Sequence, residues 1–469
     1  MNPYESLSEE YPRLYEAFEQ LNDYQKAAVT DDHKVTLLNA HVGSGKTTVI
    51  LHKVLYLHLI KQIPLEKIFV MTFTNKAARE IRQRLKGFGV DYPEESVRFI
   101  GTFHAIAKAL MKEHLPVERL GYTKDFEGID MNRFRFMVRD EAVKQGVHIK
   151  SKYFKGDLTE LRQGEHIYPS TYYRQLRRVL KVVKQRKIEE DVMDFDDLID
   201  NVIRLLKRYK SRKYCGYILV DEFQDSDERQ IEFIQRLSLN KVNIFAVGDP
   251  NQSIYEWRGG YPFIFDSFGE EMGAYKMSLP VNYRSSSRIL EYAKRFCYRR
   301  GEEITGVREE GVPVIVRSTQ NEYADARYIA EKIAKLIAEG LCYSDIAILF
   351  RKNVTGEVFE KVLKDRQIPY EFYTIAEDEE KSGSDLVRIM TLHSCKGLEF
   401  KYVFISGVNE GLIPMTDRDG DYDYEEMRLY FVGLTRAKDV VELSWYERSS
   451  HSGYYVEPKP SRFLKSLPR

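Results

Sequence analysis

Short apolar runs that end in small or polar residues recur along this chain of 469 residues. They cover residues 35–40, 67–71, 97–100, 216–220 and 242–247, with helix-like segments between them. Runs of this length and spacing predict buried strands in an α/β fold with parallel sheets. Ligands bind beyond the carboxyl ends of such strands. The residues that follow each run are therefore the first candidates for function.

The first run leads into a glycine-rich turn and a helix-like stretch over residues 49–60. Such a turn lets backbone N–H groups point at phosphate oxygens at a helix N-terminus. Lys46 is expected to reach the β- and γ-phosphates of a nucleotide, and the Thr47 hydroxyl to ligate Mg²⁺. Ala40 stands where the P-loop pattern has its first glycine. The predicted nucleotide-binding residues of this turn are Gly43, Ser44, Gly45, Lys46, Thr47 and Thr48.

Two carboxylates, Asp221 and Glu222, follow the run at 216–220. In a P-loop protein we expect Asp221 to be the Mg²⁺ partner and Glu222 to be the base that activates water, which favours hydrolysis over kinase-type transfer. The alternative is a pair of acids that cap a helix. After the run at 242–247, the amide of Gln252 is placed to sense a γ-phosphate. Upstream of the P-loop, the Gln25 amide offers both a donor and an acceptor to an adenine edge.

Aromatic and polar side chains also follow several runs. Phe73 comes after 67–71, and Thr102, Phe103 and His104 come after 97–100. A lone Phe is usually a core residue, but the polar neighbours favour a surface that contacts a nucleic acid backbone and stacks bases. Beyond Gln252 lie three further candidates of this kind, namely Tyr255, Trp257 and Arg258.

Residues 105–215 break the strand–helix alternation and read as an inserted helical subdomain. Residues 174–187 contain seven basic side chains and no Asp or Glu. Positions 174, 177, 178 and 181 share one helical face. We interpret this stripe as a candidate phosphate-binding surface, because a solvated face normally mixes both signs of charge.

Composition limits the alternatives. The formal net charge is zero, so attraction to nucleic acid must come from local patches. No run of 18 apolar residues exists, so no membrane-spanning helix is expected. The four cysteines lie far apart, which favours free thiols in a reducing compartment over a disulfide framework or a zinc site. The sequence therefore predicts a cytoplasmic protein without a membrane partner.

Taken together, the motifs resemble those of the UvrD/Rep/PcrA-like helicases of superfamily 1. The resemblance covers nearly the whole chain through GSGKT (43–47), TFTNKAA (72–78), GTFHA (101–105), DFDDL (194–198), DEFQD (221–225), GDPNQSIYEWRG (248–259), NYRSS (282–286), TLHSCKGLEF (391–400) and VGLTRAK (432–438). It implies two RecA-like P-loop domains with parallel sheets flanked by helices. The first would comprise residues 1–104 and 216–276, with residues 105–215 inserted, and the second residues 277–469.

The resemblance also implies roles for individual residues. Tyr283 would stack on adenine and Glu399 would contact the ribose. Arg284 and Arg436 would reach the γ-phosphate from the second RecA-like domain. His393 would join the DNA-contacting set, which is Phe73, Thr102, His104, Tyr255, Trp257, Arg258 and His393. The family uses Mg²⁺ and ATP and moves 3′→5′ on single-stranded DNA.

One departure is visible in the second half of the chain. Relatives insert a whole further domain, usually called 2B, where this chain has only the acidic string 371–384. The leading hypothesis is a compact ATP-dependent single-stranded DNA translocase and helicase that acts at single-strand/duplex junctions. The alternatives are the motor subunit of a DNA repair or defence complex that needs a partner such as a nuclease, or an ATP-gated DNA-binding module. RNA as the substrate stays open at this stage.

Overall fold

The computed structural model describes residues 2–149, 170–209, 213–239, 241–255, 263–297, 303–373, 384–415, 424–448 and 459–464. Two of the predicted DNA-contacting residues, Trp257 and Arg258, lie outside the described residues. So do residues 374–383, which form most of the acidic string at 371–384.

The described residues alternate strands with helices, as the hydrophobic pattern predicts. The strands are β1 (Val35–Ala40), β2 (Ile68–Thr72), β3 (Ile100–Thr102), β4 (Glu127–Ile129), β5 (Val192–Asp194), β6 (Tyr217–Val220), β7 (Asn243–Gly248), β8 (Tyr275–Leu279), β9 (Val281–Asn282), β10 (Thr305–Gly306), β11 (Ile315–Thr319), β12 (Ile346–Phe350), β13 (Tyr370–Phe372), β14 (Val387–Thr391), β15 (Phe400–Ser406) and β16 (Ala437–Tyr446).

The α-helices within the described ranges are α1 (Pro12–Glu19), α2 (Asp23–Thr30), α3 (Lys46–Leu55), α4 (Asn75–Gly87), α5 (Phe103–Glu113), α6 (Met131–Lys144), α7 (Ser170–Glu189), α8 (Phe195–Arg208), α9 (Glu228–Ser238), α10 (Ile264–Met272), α11 (Ser287–Ala293), α12 (Glu322–Ala338), α13 (Asn353–Asp365) and α14 (Tyr424–Leu434). Searched over the described residues, none of them is long and apolar enough to cross a membrane.

Two six-stranded sheets organise these elements. The first has the strand order β3-β2-β6-β7-β1-β8, and the second has the order β11-β16-β15-β12-β14-β13. All neighbours in the second sheet pair in parallel, as do β1 with β8 and β2 with β3 in the first. The predicted α/β class with two parallel sheets is therefore confirmed.

The chain divides into two compact units. One comprises Met1–Tyr56, Val220–Asp227 and Phe245–Arg469, and the other comprises Leu57–Leu219 and Glu228–Ile244. In the first unit, all five residues of β12 are buried, and α12 and α13 pack their apolar faces on that sheet. In the second unit, α6 and α7 share a core that includes Phe134, Leu176 and Val183. Full burial of such side chains stabilises each core by about 1.5–3 kcal/mol per residue.

Two boundaries differ from the prediction. The strand expected at 97–100 is present but shifted, since residues Glu94–Val97 form a 3₁₀ turn after Pro93 and β3 comprises Ile100–Thr102. The shift lets Thr102 end the strand and cap α5, since its hydroxyl accepts the Ala105 N–H at 3.2 Å. The helix expected over 49–60 instead begins at Lys46 and ends at Leu55, where a π-helical turn, Tyr56–Ile60, continues it. The predicted domain boundaries stay a prediction.

Candidate nucleotide-binding and catalytic site

The turn between β1 and α3 strongly favours glycine at two positions. Gly43 and Gly45 both have left-handed backbone angles, φ +68° and +84°. A Cβ at Gly43 would lie 2.6 Å from Asn282 Nδ2, and one at Gly45 would lie 2.8 Å from Gln25 Nε2. Backbone conformation and close approach therefore both favour glycine here. Ala40 lies three residues before Gly43, as the buried last residue of β1, where a methyl group is accommodated.

The turn fits a phosphate chain. Lys46 is the first residue of α3, so its N–H and those of Thr47 and Thr48 lie at the positive end of the helix dipole. Among the described residues, the buried Ser44 hydroxyl is one of the side-chain groups without a hydrogen-bond partner. A buried polar group left without a partner is unfavourable, and a bound phosphate oxygen would provide one.

Gln25 is held beside this turn. Its Nε2 donates to Ser44 O at 2.9 Å, and its Oε1 accepts the Asn22 N–H at 3.1 Å as part of a capping box at the start of α2. Asn22 Nδ2 in turn donates to the hydroxyl of Tyr283 at 2.6 Å. The two residues predicted to face adenine are thus joined through Asn22, and Tyr283 is 45% exposed. Their contact with adenine stays a prediction.

The two carboxylates after β6 have opposite electrostatic environments. Burial and the neighbouring charge of Glu222 raise the pKa of Asp221 above its usual range. Burial also opposes ionisation of Glu222, but the ammonium groups of Lys46 and Lys396 outweigh it and hold the pKa of Glu222 below its usual range. Lys46 Nζ lies 3.3 Å from Glu222 Oε1. Glu222 itself is left-handed, with φ +50°, a conformation that is uncommon for a residue with a side chain and clusters at functional sites.

The predicted metal ligands are hard oxygen donors of the kind that Mg²⁺ prefers. Asp221 is 6% exposed at the end of β6, and Thr47 is half-buried in the first turn of α3. Asp221 Oδ1 accepts the Glu222 N–H at 3.0 Å, and this bond fixes the orientation of the carboxylate. The donor set therefore fits Mg²⁺, and the assignment stays a prediction.

The structure brings Gln252 and Arg436 together. Gln252 Nε2 donates to Asp249 Oδ2 at 2.6 Å, and Gln252 Oε1 accepts from Arg436 Nη2 at 3.1 Å. Arg436 is only 2% exposed, and its remaining guanidinium atoms donate to the carbonyls of Val432 and Leu398 at 3.0 and 3.3 Å. Burial, followed by the charge of Arg284, lowers the pKa of Arg436 to about 10. The side chain therefore remains a cation at neutral pH.

Arg284 and Glu399 form an ion pair. Arg284 Nε lies 2.9 Å from Glu399 Oε2, and Lys438 Nζ lies 2.5 Å from Glu399 Oε1. Burial opposes ionisation, but the hydrogen bond from Lys438 and the charge of Arg284 lower the pKa of Glu399. Glu399 is thus held as a carboxylate whose side chain is 44% exposed.

Sequence reasoning missed two residues that build this site. Asn282 Nδ2 donates to Val42 O at 2.7 Å, and Asn282 Oδ1 accepts the N–H groups of Arg284 and Ser285. Lys396 donates to the carboxylate of Asp225 and to Gln252 O. Both residues stand inside motifs that the sequence displays, NYRSS and TLHSCKGLEF. Their contacts depend on the folded chain, so the motif letters alone did not single them out.

The predicted DNA-contacting residues of the second unit follow two paired strands. β2 and β3 pair in parallel with Thr72 opposite Thr102, so Phe73 and His104 follow neighbouring strand ends. Phe73, Thr102 and His104 are all half-buried, whereas Phe103 is 3% exposed. Phe103 is therefore a core residue. Its polar neighbours in the sequence had favoured the other interpretation, a surface that contacts nucleic acid. The His104 ring meets the exposed Phe195 ring edge-on, with centroids 5.0 Å apart.

In the first unit, His393 is half-buried and Tyr255 is 4% exposed. Stacking of a base on Tyr255 would thus require its ring to become more accessible. The role of Tyr255 in DNA contact stays a prediction.

The basic stripe lies on α7. Its exposed members line a cavity of about 640 Å³ within the second unit, and they are Arg174, Arg177, Arg178, Lys181 and Lys184. The other two basic residues of the segment are not exposed. Arg186 pairs with Asp140 at 2.5 Å, and the buried Lys187 pairs with Asp194 at 2.6 Å and with Asp197.

Comparison with known proteins covers both halves of the chain. The sequence model of the UvrD/REP helicase N-terminal domain matches residues 21–273, and that of the UvrD-like helicase C-terminal domain matches residues 277–377 and 371–448. The chain is 30% identical to a probable DNA helicase of Mycoplasma pneumoniae, over 96% of this chain and 87% of that protein. It is 30% identical to the ATP-dependent DNA helicase PcrA of Bacillus subtilis, over 73% of this chain and 49% of the relative. It is 31% identical to DNA helicase II of Haemophilus influenzae, over 77% of this chain and 52% of that relative. The chain thus spans about half the length of the latter two relatives.

Proposed function

The chain belongs to the UvrD/REP family of ATP-dependent DNA helicases, and we propose on that premise that it is a Mg·ATP-driven motor that moves 3′→5′ along single-stranded DNA and opens duplex at junctions. The observation that carries the proposal is the pair formed by Gln252 and Arg436. Gln252 follows β7 of the first sheet, Arg436 precedes β16 of the second, and their side chains meet at 3.1 Å. A γ-phosphate bound at Lys46 would therefore be contacted by side chains that belong to both sheets.

The residues support a specific division of labour in ATP hydrolysis. The glycine turn and Lys46 hold the phosphate chain, and Glu222 accepts a proton from the attacking water. Arg284 and Arg436 supply planar cations to the oxyanions that develop in the transition state. Bound at Thr47 and Asp221, Mg²⁺ would neutralise phosphate charge and orient the leaving group.

Nucleotide binding would redistribute the charges that the structure shows. Lys46 now pairs with Glu222, and we infer that it turns to the phosphates when ATP enters. Arg284 would likewise exchange part of its pairing with Glu399 for the γ-phosphate. Since these groups are linked to strands of both sheets, hydrolysis would alter how the two sheets are held together. Such a cycle is a means of moving a bound strand.

On the DNA side, the candidates are the strand-end residues Phe73, Thr102, His104, Tyr255 and His393 together with the outward-facing basic residues of α7. Aromatic side chains stack unpaired bases with little sequence preference, and cations follow the backbone. Both features favour a single strand as the track.

A partner-dependent motor is the second candidate, and one observation favours it. β13 and β14 are adjacent parallel strands with Tyr370 opposite Val387, so only a short segment joins them. At this point the resemblance implies the 2B domain in relatives. A chain without it has less surface for holding a duplex, and a nuclease or repair factor would supply that surface.

The test is ATPase activity of the purified chain with single-stranded DNA, duplex DNA and RNA, followed by unwinding of 3′- and 5′-tailed duplexes. We expect single-stranded DNA to stimulate hydrolysis most and only the 3′-tailed duplex to be opened. The variant Glu222→Gln tests the assignment of the base in the same assays. It should lower kcat by about 10²–10⁴-fold because the base is lost, while ATP binding persists because the side-chain volume is kept.

The outcomes separate the candidates. DNA-stimulated hydrolysis without strand separation would favour the partner-dependent motor. DNA binding gated by ATP without movement on a long single strand would favour a non-motor module. Unaltered hydrolysis by the Glu222→Gln variant would show that another group is the base.

A further inference from the structure

We propose that Lys396 is a positioning residue that couples the DNA-contacting side of the motor to the catalytic base Glu222. The proposal rests on the proposed function, because it assigns a coupling role within the same ATPase site. Lys396 lies in the turn after β14, three residues beyond the DNA candidate His393.

The side chain of Lys396 reaches residues that follow two strands of the first sheet. Its Nζ donates to Gln252 O at 2.8 Å, in the segment after β7. It also donates to the carboxylate of Asp225, whose side chain is fully buried after β6. The Lys396 side chain is itself 9% exposed, so this ion pair is shielded from solvent and screened little by salt.

Lys396 also acts on Glu222. Its Nζ lies 3.7 Å from Glu222 Oε2, and Lys46 Nζ approaches the other oxygen at 3.3 Å. Within the described residues, these two lysines are the cations that form ion pairs with Glu222. When Lys46 turns to bound phosphate, Lys396 remains beside Glu222, and the shift that bound DNA imparts to Lys396 brings the base to the angle needed for proton transfer. Positioning of this kind matters because small displacements of a catalytic group lower rates steeply.

The same ammonium group faces a DNA candidate. It lies 5.6 Å from the ring centroid of Tyr255, within cation–π range. The turn that carries Lys396 is tied to the fold, since the Ser394 N–H donates to the Thr391 hydroxyl at 3.2 Å and Cys395 is buried. A strand that displaces Tyr255 or His393 would therefore shift Lys396 and, with it, Glu222.

The experiment compares Lys396→Met and Lys396→Arg with the wild-type chain. The matched control is Lys401→Met, because Lys401 forms an exposed pair with Asp345 at 3.0 Å on the same half of the chain. We measure kcat and KM for ATP with and without single-stranded DNA, and DNA affinity by fluorescence anisotropy. Lys396→Met should lower the DNA-stimulated kcat by about 10²-fold and the basal rate much less. KM and DNA affinity should stay within about threefold, and Lys396→Arg should recover part of the stimulation.

Equal losses of basal and DNA-stimulated rates would overturn the proposal, since a merely structural ion pair has that signature. An unchanged stimulated rate, or a loss confined to KM, would overturn it as well. If Lys396→Met fails to fold because Asp225 is left buried and unpaired, the double variant Asp225→Asn/Lys396→Met removes that charge and is judged by the same criteria. Failure of the proposed function is seen separately, as absence of DNA stimulation in the wild-type chain.

Discussion

The two ends of the candidate nucleotide site differ in how deeply they are buried. At the phosphate end, Arg436, Gln252 and Asp221 are between 2% and 6% exposed. At the nucleoside end, Tyr283 is 45% exposed and the Glu399 side chain is 44% exposed. Charges interact much more strongly where water is excluded. The difference suggests that the buried end determines the rate of hydrolysis and the exposed end adjusts affinity for the nucleotide.

The two ends also differ in how firmly their side chains are held. The Arg436 guanidinium donates to two backbone carbonyls and to Gln252, so its direction is fixed before any ligand binds. For Tyr283 the structure shows one side-chain hydrogen bond, to Asn22. A fixed cation needs little reorganisation in the transition state, whereas an exposed ring adapts to its ligand.

Removal of the buried cation should have the largest effect. We expect Arg436→Ala to lower the DNA-stimulated kcat by about 10³-fold or more, the range typical of arginine fingers. KM for ATP should change far less, because the cation acts on charge that develops in the transition state. Steady-state ATPase assays at saturating DNA measure both values. A large rise in KM with kcat preserved would contradict the division between the two ends.

Arg436→Lys is the variant to compare with Arg436→Ala. It keeps the charge but loses the planar fork that donates to Val432, Leu398 and Gln252 in the present geometry. Arg436→Lys should therefore remain well below wild type, and recovery to wild-type rates would mean that charge alone suffices.

Loss of the link beside Arg436 should have an intermediate effect. Gln252→Ala removes the amide that bonds both Asp249 and Arg436, so Arg436 keeps its charge but loses one support. We expect a loss of about 10²-fold in DNA-stimulated kcat. The double variant Gln252→Ala/Arg436→Ala should be little worse than Arg436→Ala alone, because the two side chains act as one unit. Fully additive losses would show that they act independently.

The buried end was also the easier one to predict from sequence. Lys46, Asp221, Glu222 and Gln252 all follow apolar runs, so the strand pattern alone placed them at one sheet edge. What the sequence could not predict depends on distant contacts. The Asn282 bond to the P-loop and the Lys396 pair with Asp225 each join segments that are far apart in the chain. The left-handed backbone of Glu222 is a local geometry that the sequence does not encode.

The aromatic candidates show the same limit. Phe73 and Phe103 occupy similar positions after neighbouring strands, yet Phe73 is half-buried and Phe103 lies in the core. The difference arises because Phe103 begins α5, whose apolar face packs inward, whereas Phe73 precedes the helix cap at Thr74. The sequence pattern predicts where each strand ends, but whether the ring is buried depends on its position relative to the helix that follows.

The smallest effect should come from the exposed end. Tyr283→Ala removes a half-exposed ring whose stacking on a base would be worth about 1–3 kcal/mol, so we expect KM for ATP to rise about tenfold with kcat within about twofold. Tyr283→Phe keeps the ring but loses the bond to Asn22, and it should behave nearly as wild type if stacking is the main contribution. Measurement with ATP and GTP separates stacking, which both bases share, from any reading of the adenine edge by Gln25. If Tyr283→Ala lowers kcat as much as Arg436→Ala does, the exposed end takes part in the chemical step, and burial is not what separates the two roles.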